Sequence, residues 1–461
     1  MTGPATSGEP DGVSATKEGT AAKGPPEPSS PRGWYTVFIL ATVAMLSYMD
    51  RGVMALFVQP MKRDFGLTDT QVSLLLGLAF TLPFVLFGLP MSRLVDRGVR
   101  RTLIAGCLAA WSFATGLCGI AQNYWSLFAC RAVIGGSESV NTAASLSVIA
   151  DAVRRERWPR AFAIQAAGVA VGGAMSLLVG GLLFGLVDHL APIHLSGIGI
   201  IYNWQLVFMI VSIPGLLLAG LMMVSVPEPR RKGGTRPGGY PLREVFGFLM
   251  SMRAMHFPLL AAMLLLSMLN YGLGAWSPAF YERTYGWGPE VAGPMMGMVS
   301  LVGSLIGLLM GARLAELFAR RNDDANLRVL LLAHGLALPL HVLAPLMPNP
   351  WLALGCNALA GLVGVMGGPG FYAAVQLTTP NEMRGQLNIL YAASMNTIGG
   401  SLGPTVIGLL TDHVAPSEAD LGYVLVAVNL MFGPIALFLL WKSLRPYAMA
   451  YRARVEAGGD V

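Results

Sequence analysis

Charged residues are scarce in this chain of 461 amino acids. Lys, Arg, Asp and Glu make up 12% of it, whereas hydrophobic residues make up 54%. A soluble globular domain carries roughly 25% charged residues. This shortage, together with a mean hydropathy of +0.58, excludes an ordinary soluble domain. The composition therefore predicts an integral membrane protein.

Cysteine is also rare, and a signal peptide is lacking. The four cysteines lie in apolar stretches without a CxxC or Cys/His spacing, so we expect buried small residues and no metal site. Residues 1–33 are rich in Pro, Gly, Ser and Glu. That composition predicts a disordered cytoplasmic tail, not a targeting helix.

Long apolar stretches dominate the rest of the chain. About 20 apolar residues cross the ~30 Å of hydrocarbon in a bilayer. Twelve stretches of this kind predict an all-α membrane protein with twelve transmembrane helices, at 34–58, 70–92, 102–121, 124–149, 160–187, 204–226, 256–281, 290–315, 327–347, 351–377, 385–411 and 421–443. The predicted organisation is a tail (1–33), a six-helix half (34–226), a cytoplasmic linker (227–255), a second six-helix half (256–443) and a C-terminal tail (444–461). Thr68 and Gln71 predict a capping box at the start of the second span.

Basic residues predict the orientation of these spans. With both termini inside, the cytoplasmic segments hold 26 Lys and Arg residues and the outer loops hold 3. Cytoplasmic loops carry such an excess, so we expect a multi-pass protein of an inner membrane with both termini in the cytoplasm. Orientation also accounts for the net charge of +6, and no nucleic-acid partner is predicted.

The two halves contain similar sequence patterns at corresponding positions. Asp96 precedes Arg100 and Arg101 by four and five positions, as Glu316 precedes Arg320 and Arg321. Arg160 and Arg384 open the fifth and eleventh spans and are each followed by a glycine cluster. Two six-span halves in one orientation predict parallel repeats, an arrangement for which major facilitator transporters are the standard example.

Ionisable residues lie inside two of the spans. Such groups cost roughly 2.5–3.5 kcal/mol each on insertion scales, so they persist mainly where they pair, face a cavity or do chemistry. From the helical rise, Asp50, Arg51 and Arg131 share a depth in the outer half, with Glu138 two turns below Arg131. We expect Asp50 to pair with Arg131, and Arg51 to reach across to the other half and help to close the outer side.

Two interpretations of these charges stay open. Burial favours a neutral carboxyl group and a nearby Arg favours the charged one, so Asp50 and Glu138 are candidates for proton uptake and release. The alternative is a permanent buried ion pair that fixes the helix register.

The second half offers neutral residues for a cavity. They are polar or aromatic, and with Tyr48 from the first half the candidate substrate contacts are Asn270, Tyr271, Trp276, Asn357, Tyr372, Gln376, Tyr391 and Asn396. One charged and one amphipathic half suit an amphiphilic substrate. For any single residue of this set, ordinary helix packing is the alternative.

Several motifs resemble a known family. The stretch from Asp96 through Arg97, Arg100 and Arg101 resembles the signature between spans two and three of major facilitator transporters, where it implies a cytoplasmic gate. The run Tyr48-Met49-Asp50-Arg51, with Arg131 to Glu138 in span four, is similar to the Spinster branch of lysolipid and sphingosine-phosphate transporters and their bacterial relatives. This resemblance also implies proton coupling at Asp50 and Glu138.

These observations predict a proton-coupled transporter that moves a lysolipid-like or sphingolipid-like amphiphile by alternating access, as a monomer in the bilayer. The proton is the coupling ion, and no other cofactor is expected. One alternative is a transporter of the same fold for a drug, sugar or organic anion; another is a membrane receptor or sensor. An enzyme is not predicted: Gly399 to Gly403 fits G-x-S-x-G but lies inside an apolar span. The six histidines show no convergent spacing.

Overall fold

Helices form nearly all of the described structure. The computed structural model describes residues 31–197, 199–229, 242–380 and 383–456, apart from the side chains of Leu89, Asp96, Arg155 and Leu242. Most of the predicted N-terminal tail, the linker residues 230–241 and the last five residues lie outside this part of the chain.

The first half of the chain contains nine helices and a short hairpin. They are α1 (Pro31–Leu56), α2 (Val58–Phe65), α3 (Asp69–Leu76), α4 (Leu78–Arg97), α5 (Arg100–Cys118), α6 (Tyr124–Glu138), α7 (Asn141–Ala152), α8 (Trp158–Val187), the antiparallel strands β1 (Ile193–Leu195) and β2 (Gly199–Ile201), and α9 (Asn203–Ser225).

The described residues of the second half contain helices but no strand. It contains α10 (Leu242–Ser251), α11 (Arg253–Tyr285), α12 (Pro289–Ala319), α13 (Ala325–Leu343), α14 (Pro350–Val365), α15 (Gly368–Thr378), α16 (Arg384–Ser394), a π-helical turn (Met395–Gly399), α17 (Gly400–His413) and α18 (Leu421–Glu456). The final helix thus runs past the predicted boundary at 443, and α10 and the start of α11 occupy part of the predicted linker.

Each of the twelve predicted spans corresponds to helix. Ten helical segments in the described ranges are long and apolar enough to cross a membrane. The other two predicted spans, at 124–149 and 385–411, are each built from shorter helices: α6 and α7 meet at residues 139 and 140, and α16 and α17 meet at the π turn. Large apolar side chains point outward from the bundle, for example Leu217 and Val224 of α9. An apolar surface of this extent marks contact with lipid.

Helix starts follow the local sequence. The predicted capping box is present: the Thr68 hydroxyl accepts the amide proton of Gln71, and the Gln71 side chain accepts that of Thr68. Asn123 and Ser126 form a second one at the start of α6. These bonds satisfy amide groups that have no partner within the first helical turn.

The bundle has two ends, which we name by the chain termini. Tyr35 near the start of α1 donates a hydrogen bond of 2.8 Å to Ser225 at the end of α9. Arg452 near the end of α18 pairs with Asp323, which follows α12. We call this side the terminal end; α2 and the β1–β2 hairpin lie at the opposite end.

Candidate functional site

An ion pair between α1 and α6 forms the centre of the site. The Arg51 Nε donates to Glu138 Oε2 at 2.6 Å, and the Ser47 hydroxyl donates to the same oxygen at 2.8 Å. The Glu138 side chain is fully buried, and its Oε1 has no hydrogen-bond partner in the described structure. Oε2 therefore accepts two hydrogen bonds, whereas Oε1 can still accept one.

Aromatic rings surround the Arg51 guanidinium. Its central carbon lies 4.8, 4.6 and 5.4 Å from the ring centres of Tyr48, Phe80 and Phe84. Rings at these distances attract a cation through their faces. The Arg51 side chain keeps 20% exposure, so this residue can meet a ligand while it holds Glu138.

Asp50 and Arg131 lie beside the pair, but they do not form the expected ion pair. Both are almost completely buried, yet no salt bridge within 4.0 Å joins them in the described chain. The Arg131 Nε instead donates to the Leu75 carbonyl at 3.4 Å, and its Nη1 has no partner. Asp50 adjoins Thr115 and interacts with Arg131 through charge alone. The predicted pairing is therefore wrong: the long Arg51 side chain, not Arg131, reaches a carboxylate.

A cavity of about 340 Å³ opens against Arg51. It lies between the two halves. The predicted contact residues Tyr48, Asn270, Tyr271 and Asn396 line it, together with Arg51 and Arg131 of the charged set. Tyr271 donates a hydrogen bond of 2.5 Å to Asn396, which lies in the π turn. A wide helical turn therefore positions a polar side chain beside the cavity, and such turns are frequent at functional sites.

Other predicted contact residues lie elsewhere. Trp276 is fully buried and donates to the Pro404 carbonyl at 3.0 Å, and Tyr391 is bonded to the His256 ring at 2.9 Å in a separate packed core. Both are packing residues, because helix neighbours enclose them. Tyr372 is exposed at 41% and is absent from the lining of the cavity. Gln376 is exposed and is absent from the lining of the cavity.

Asn357 lines a second cavity, of about 320 Å³, with His334 and His341. Sequence reasoning set these histidines aside. The available signal was their seven-residue spacing on one helix, which places both on the same face.

Ionic contacts close the opposite end across the two halves. Arg283 of α11 binds both carboxylate oxygens of Asp69, at 2.8 and 2.6 Å, and also the Gln59 amide oxygen. Lys62 pairs with Asp69 and with Glu418. Asp412 of α17 accepts the backbone amides of Asp69 and Thr70 at 3.0 and 2.6 Å. The cavity therefore has an ionic seal on this side, which the sequence analysis did not predict.

At the terminal end, side chains of the Asp96–Arg101 segment contact residues at the ends of other spans of the first half. Arg100 is buried and bonds to Asp151 of α7 at 2.5 Å and to Glu228 at 2.9 Å. The Arg101 side chain donates to the Val226 carbonyl at 3.2 Å, while Arg97 is exposed. The side chain of Asp96 lies outside the described structure. The segment thus ties the ends of three spans together.

Metal ligands do not gather in the described part of the chain: no group of three or more His, Cys, Asp or Glu side chains is arranged to hold an ion. The four cysteines are free thiols.

Comparison with known proteins relates this architecture to transporters. The family model of the Major Facilitator Superfamily matches residues 40–404. An "MFS-type efflux pump" of Mycolicibacterium smegmatis is 28% identical over 398 residues, which cover 85% of this chain and 86% of that protein. The "Sphingosine-1-phosphate transporter SPNS2" of Danio rerio is 22% identical over 307 residues, which cover 62% of this chain and 58% of that protein.

A solved structure has a similar fold. The crystal structure of a bacterial homologue of the human lysosomal transporter Spinster, in an inward-facing and unoccupied conformation, has a TM-score of 0.74 at 22% identity. It covers 93% of this chain and 98% of that one.

Proposed function

Since this chain belongs to the Major Facilitator Superfamily of transporters, we propose that it is a proton-coupled secondary transporter of a lysolipid-like amphiphile. The family match confirms the predicted family, and Spinster proteins are among the proteins that are similar to this chain. The observation that carries the proposal is a set of two buried carboxyl groups (Asp50 and Glu138), the buried guanidinium of Arg131 and the partly exposed guanidinium of Arg51, beside a cavity between the halves.

Protons would act on the contact between Arg51 and Glu138. A carboxylate that accepts two bonds on one oxygen loses its charge attraction for Arg51 when it is protonated. Glu138 Oε1 has no partner, so it can receive a proton without breaking a bond. Asp50, buried without an ion pair, is the second proton carrier. Release of Arg51 would offer a cation to an anionic head group of the substrate.

We also propose the state and the orientation of the protein. The ionic contacts at the opposite end and the basic residues at the terminal end support a terminal end that faces the cytoplasm, with the cavity accessible from that side. Both termini would then be cytoplasmic, in an inner membrane, and the chain would work as a monomer by alternating access.

The test is transport of labelled lysophospholipid in proteoliposomes, with and without an imposed pH gradient. We expect gradient-driven flux in the wild type and its loss in Asp50→Asn, because an amide cannot carry the proton. Asp323→Asn is the matched control, since Asp323 forms an ion pair with Arg452 at the surface. Full gradient-driven flux in Asp50→Asn would contradict the coupling assignment.

A drug-like substrate is the second candidate, favoured by the similarity to a protein named as an efflux pump. Thermal stabilisation of the purified protein by a panel of compound classes separates the two. Stabilisation by cationic drugs, without any by lysolipids, would favour drug efflux.

A further inference from the structure

The second half of the bundle contains a cavity of about 320 Å³ that the proposed proton site does not use. It lies among α11, α12, α13, α14 and α18 and shares Asn270, Gly274 and Leu177 with the central cavity. The two cavities are therefore neighbouring compartments, and one elongated molecule can occupy both.

Most of the lining of this compartment is apolar, but the lining also contains a group of uncharged polar side chains. His334 and His341 of α13 and Asn357 of α14 face it, together with serines from two other helices, and no Asp, Glu, Lys or Arg is among its lining residues. An acyl chain is a poor ligand for these polar side chains, because polar groups that it covers lose their hydrogen bonds with water.

Several of these groups have unused hydrogen-bonding capacity. The side chains of Asn270, Ser277 and Ser300 make no hydrogen bond within the described ranges, and the buried His341 Nδ1 has no partner. The His334 Nδ1 is bonded to the Leu330 carbonyl at 3.1 Å, which leaves its other ring nitrogen available. Asn270 and Ser300 are exposed and Ser277 is half-buried, so these side chains can bond to water or to a ligand in the cavity. The buried His341 Nδ1 is costly to leave unpaired, which indicates a ligand or bound water there.

The charges of the two compartments indicate which part of a ligand each holds. Arg51 supplies a partly exposed cation in the central cavity, whereas the second compartment offers neutral donors and acceptors. We propose that the second compartment binds an uncharged, hydroxyl-bearing part of the substrate's head group, while the anionic part lies near Arg51. The substrate class would then be an anionic lysolipid with a polyol head. This inference rests on the proposed function.

Two matched lysolipids test it: lysophosphatidylglycerol and lysophosphatidylmethanol with the same acyl chain. Both carry one negative charge, and only the first has hydroxyl groups beyond the phosphate. Binding is measured by calorimetry with the full chain in phosphatidylcholine nanodiscs. We expect two additional hydrogen bonds to give a preference of about tenfold, or about 1.4 kcal/mol, for lysophosphatidylglycerol in the wild type.

The variants are His341→Phe, which replaces the imidazole with an apolar ring of similar size, and Ser300→Ala, which removes a hydroxyl that has no hydrogen-bond partner among the described residues. We expect both to lower the preference to less than about threefold, with unchanged affinity for lysophosphatidylmethanol. The matched control is His413→Phe, at an exposed histidine near the end of α17, which should keep the full preference. If His341→Phe fails to fold, Ser300→Ala decides.

Four results would overturn the inference. Equal binding of both probes by the wild type would mean that the compartment holds only water, and would leave lysolipid transport standing. A preference that persists in both variants would place the hydroxyl contacts elsewhere. Equal weakening of both probes by His341→Phe would assign the compartment to the acyl chain. Absence of binding by either probe to monodisperse protein would overturn the lysolipid assignment and this inference together.

Discussion

Glu138 is the residue on which the central ion pair depends. Arg51 and Ser47 both donate to its Oε2, so a neutral residue at this position leaves a guanidinium with no carboxylate partner. Removing one member of a buried pair is costly because the other charge stays away from water. The free energy of this contact can therefore be measured as a coupling energy between Arg51 and Glu138.

A double-mutant cycle with Arg51→Gln and Glu138→Gln tests this. We expect a coupling energy of about 1–3 kcal/mol in the free energy of unfolding in mixed micelles, since contacting charged residues interact on this scale. The exposed pair Arg452 and Asp323 is the control, and we expect no measurable coupling there. Additive effects of the two substitutions at Arg51 and Glu138 would contradict the ion pair.

Ser47 provides a milder test of the same contact. Its hydroxyl is buried and donates to a charged group, so Ser47→Ala should lower the free energy of unfolding by about 1–3 kcal/mol. Thr42→Ala removes a hydroxyl on the same helix that bonds only to the Phe38 carbonyl. Equal melting temperatures of the two variants would show that the bond to Glu138 contributes little.

The residues of the charged set were predictable from sequence, but their pairing was not. Charge inside an apolar span is visible in the sequence, whereas the partner depends on side-chain reach and helix tilt. The prediction assumed straight helices, in which Asp50 and Arg131 lie at the same depth and can pair. In the structure, the ion pair instead joins Arg51 to Glu138. The cavity position of His334 and His341 depends on four other helices, and only their spacing was visible in the sequence.

At the scale of helices, three of the spans that line the central cavity are interrupted. Gly77 separates α3 from α4, residues 139 and 140 separate α6 from α7, and the π turn separates α16 from α17. The hydrophobic pattern predicted each of these spans as one continuous helix. Apolar periodicity reports burial and length, and it carries no signal for a local change of hydrogen-bond register.

The packing of α8 against α12 depends on small residues. A Cβ atom at Gly181 would lie 2.4 Å from Pro294 Cδ and 2.6 Å from the Pro289 carbonyl. We therefore expect Gly181→Ala to lower the free energy of unfolding by about 1–3 kcal/mol through overpacking.

Gly220 of α9 is the matched control, because nothing lies within 4 Å of a Cβ atom there. Gly220→Ala should raise stability by up to about 1 kcal/mol, the helix propensity difference. A Gly181→Ala protein that melts at or above the wild-type temperature would contradict the close contact.

For the whole molecule, the ionic seal at the opposite end sets the balance between conformations. Asp69 pairs with Arg283 of the other half and with Lys62 of its own half, so Asp69→Asn weakens the contact with Arg283 that joins the two halves at this end. A loss of ~1.4 kcal/mol would raise the open population about tenfold.

Spin labels at Leu190 and Val414, which are exposed at 43% and 69%, report this change as a distance distribution. We expect a longer component in Asp69→Asn and none in Asp323→Asn. Identical distributions in the wild type and Asp69→Asn would show that other contacts hold this end closed.

The overall architecture was the most predictable level. Span number follows from hydrophobic length, which needs no tertiary information, and the family followed from short motifs near Asp50 and Asp96. The ionic seal was not predicted, because Asp69, Arg283 and Glu418 are far apart in the chain and each resembles an ordinary loop charge.

The close glycine contacts also bear on how a lipid would reach the binding site. Gly181 and Gly293 hold α8 to α12, and Gly77 and Gly408 hold the second span to α17, all with backbone or proline atoms in the way of any larger side chain. The two halves of the bundle are therefore in close contact on both sides, towards the opposite end. In this conformation an amphiphile would exchange between the bundle and the lipid leaflet at the terminal end. It could reach the other leaflet only after the glycine contacts between α8 and α12 and between the second span and α17 had separated.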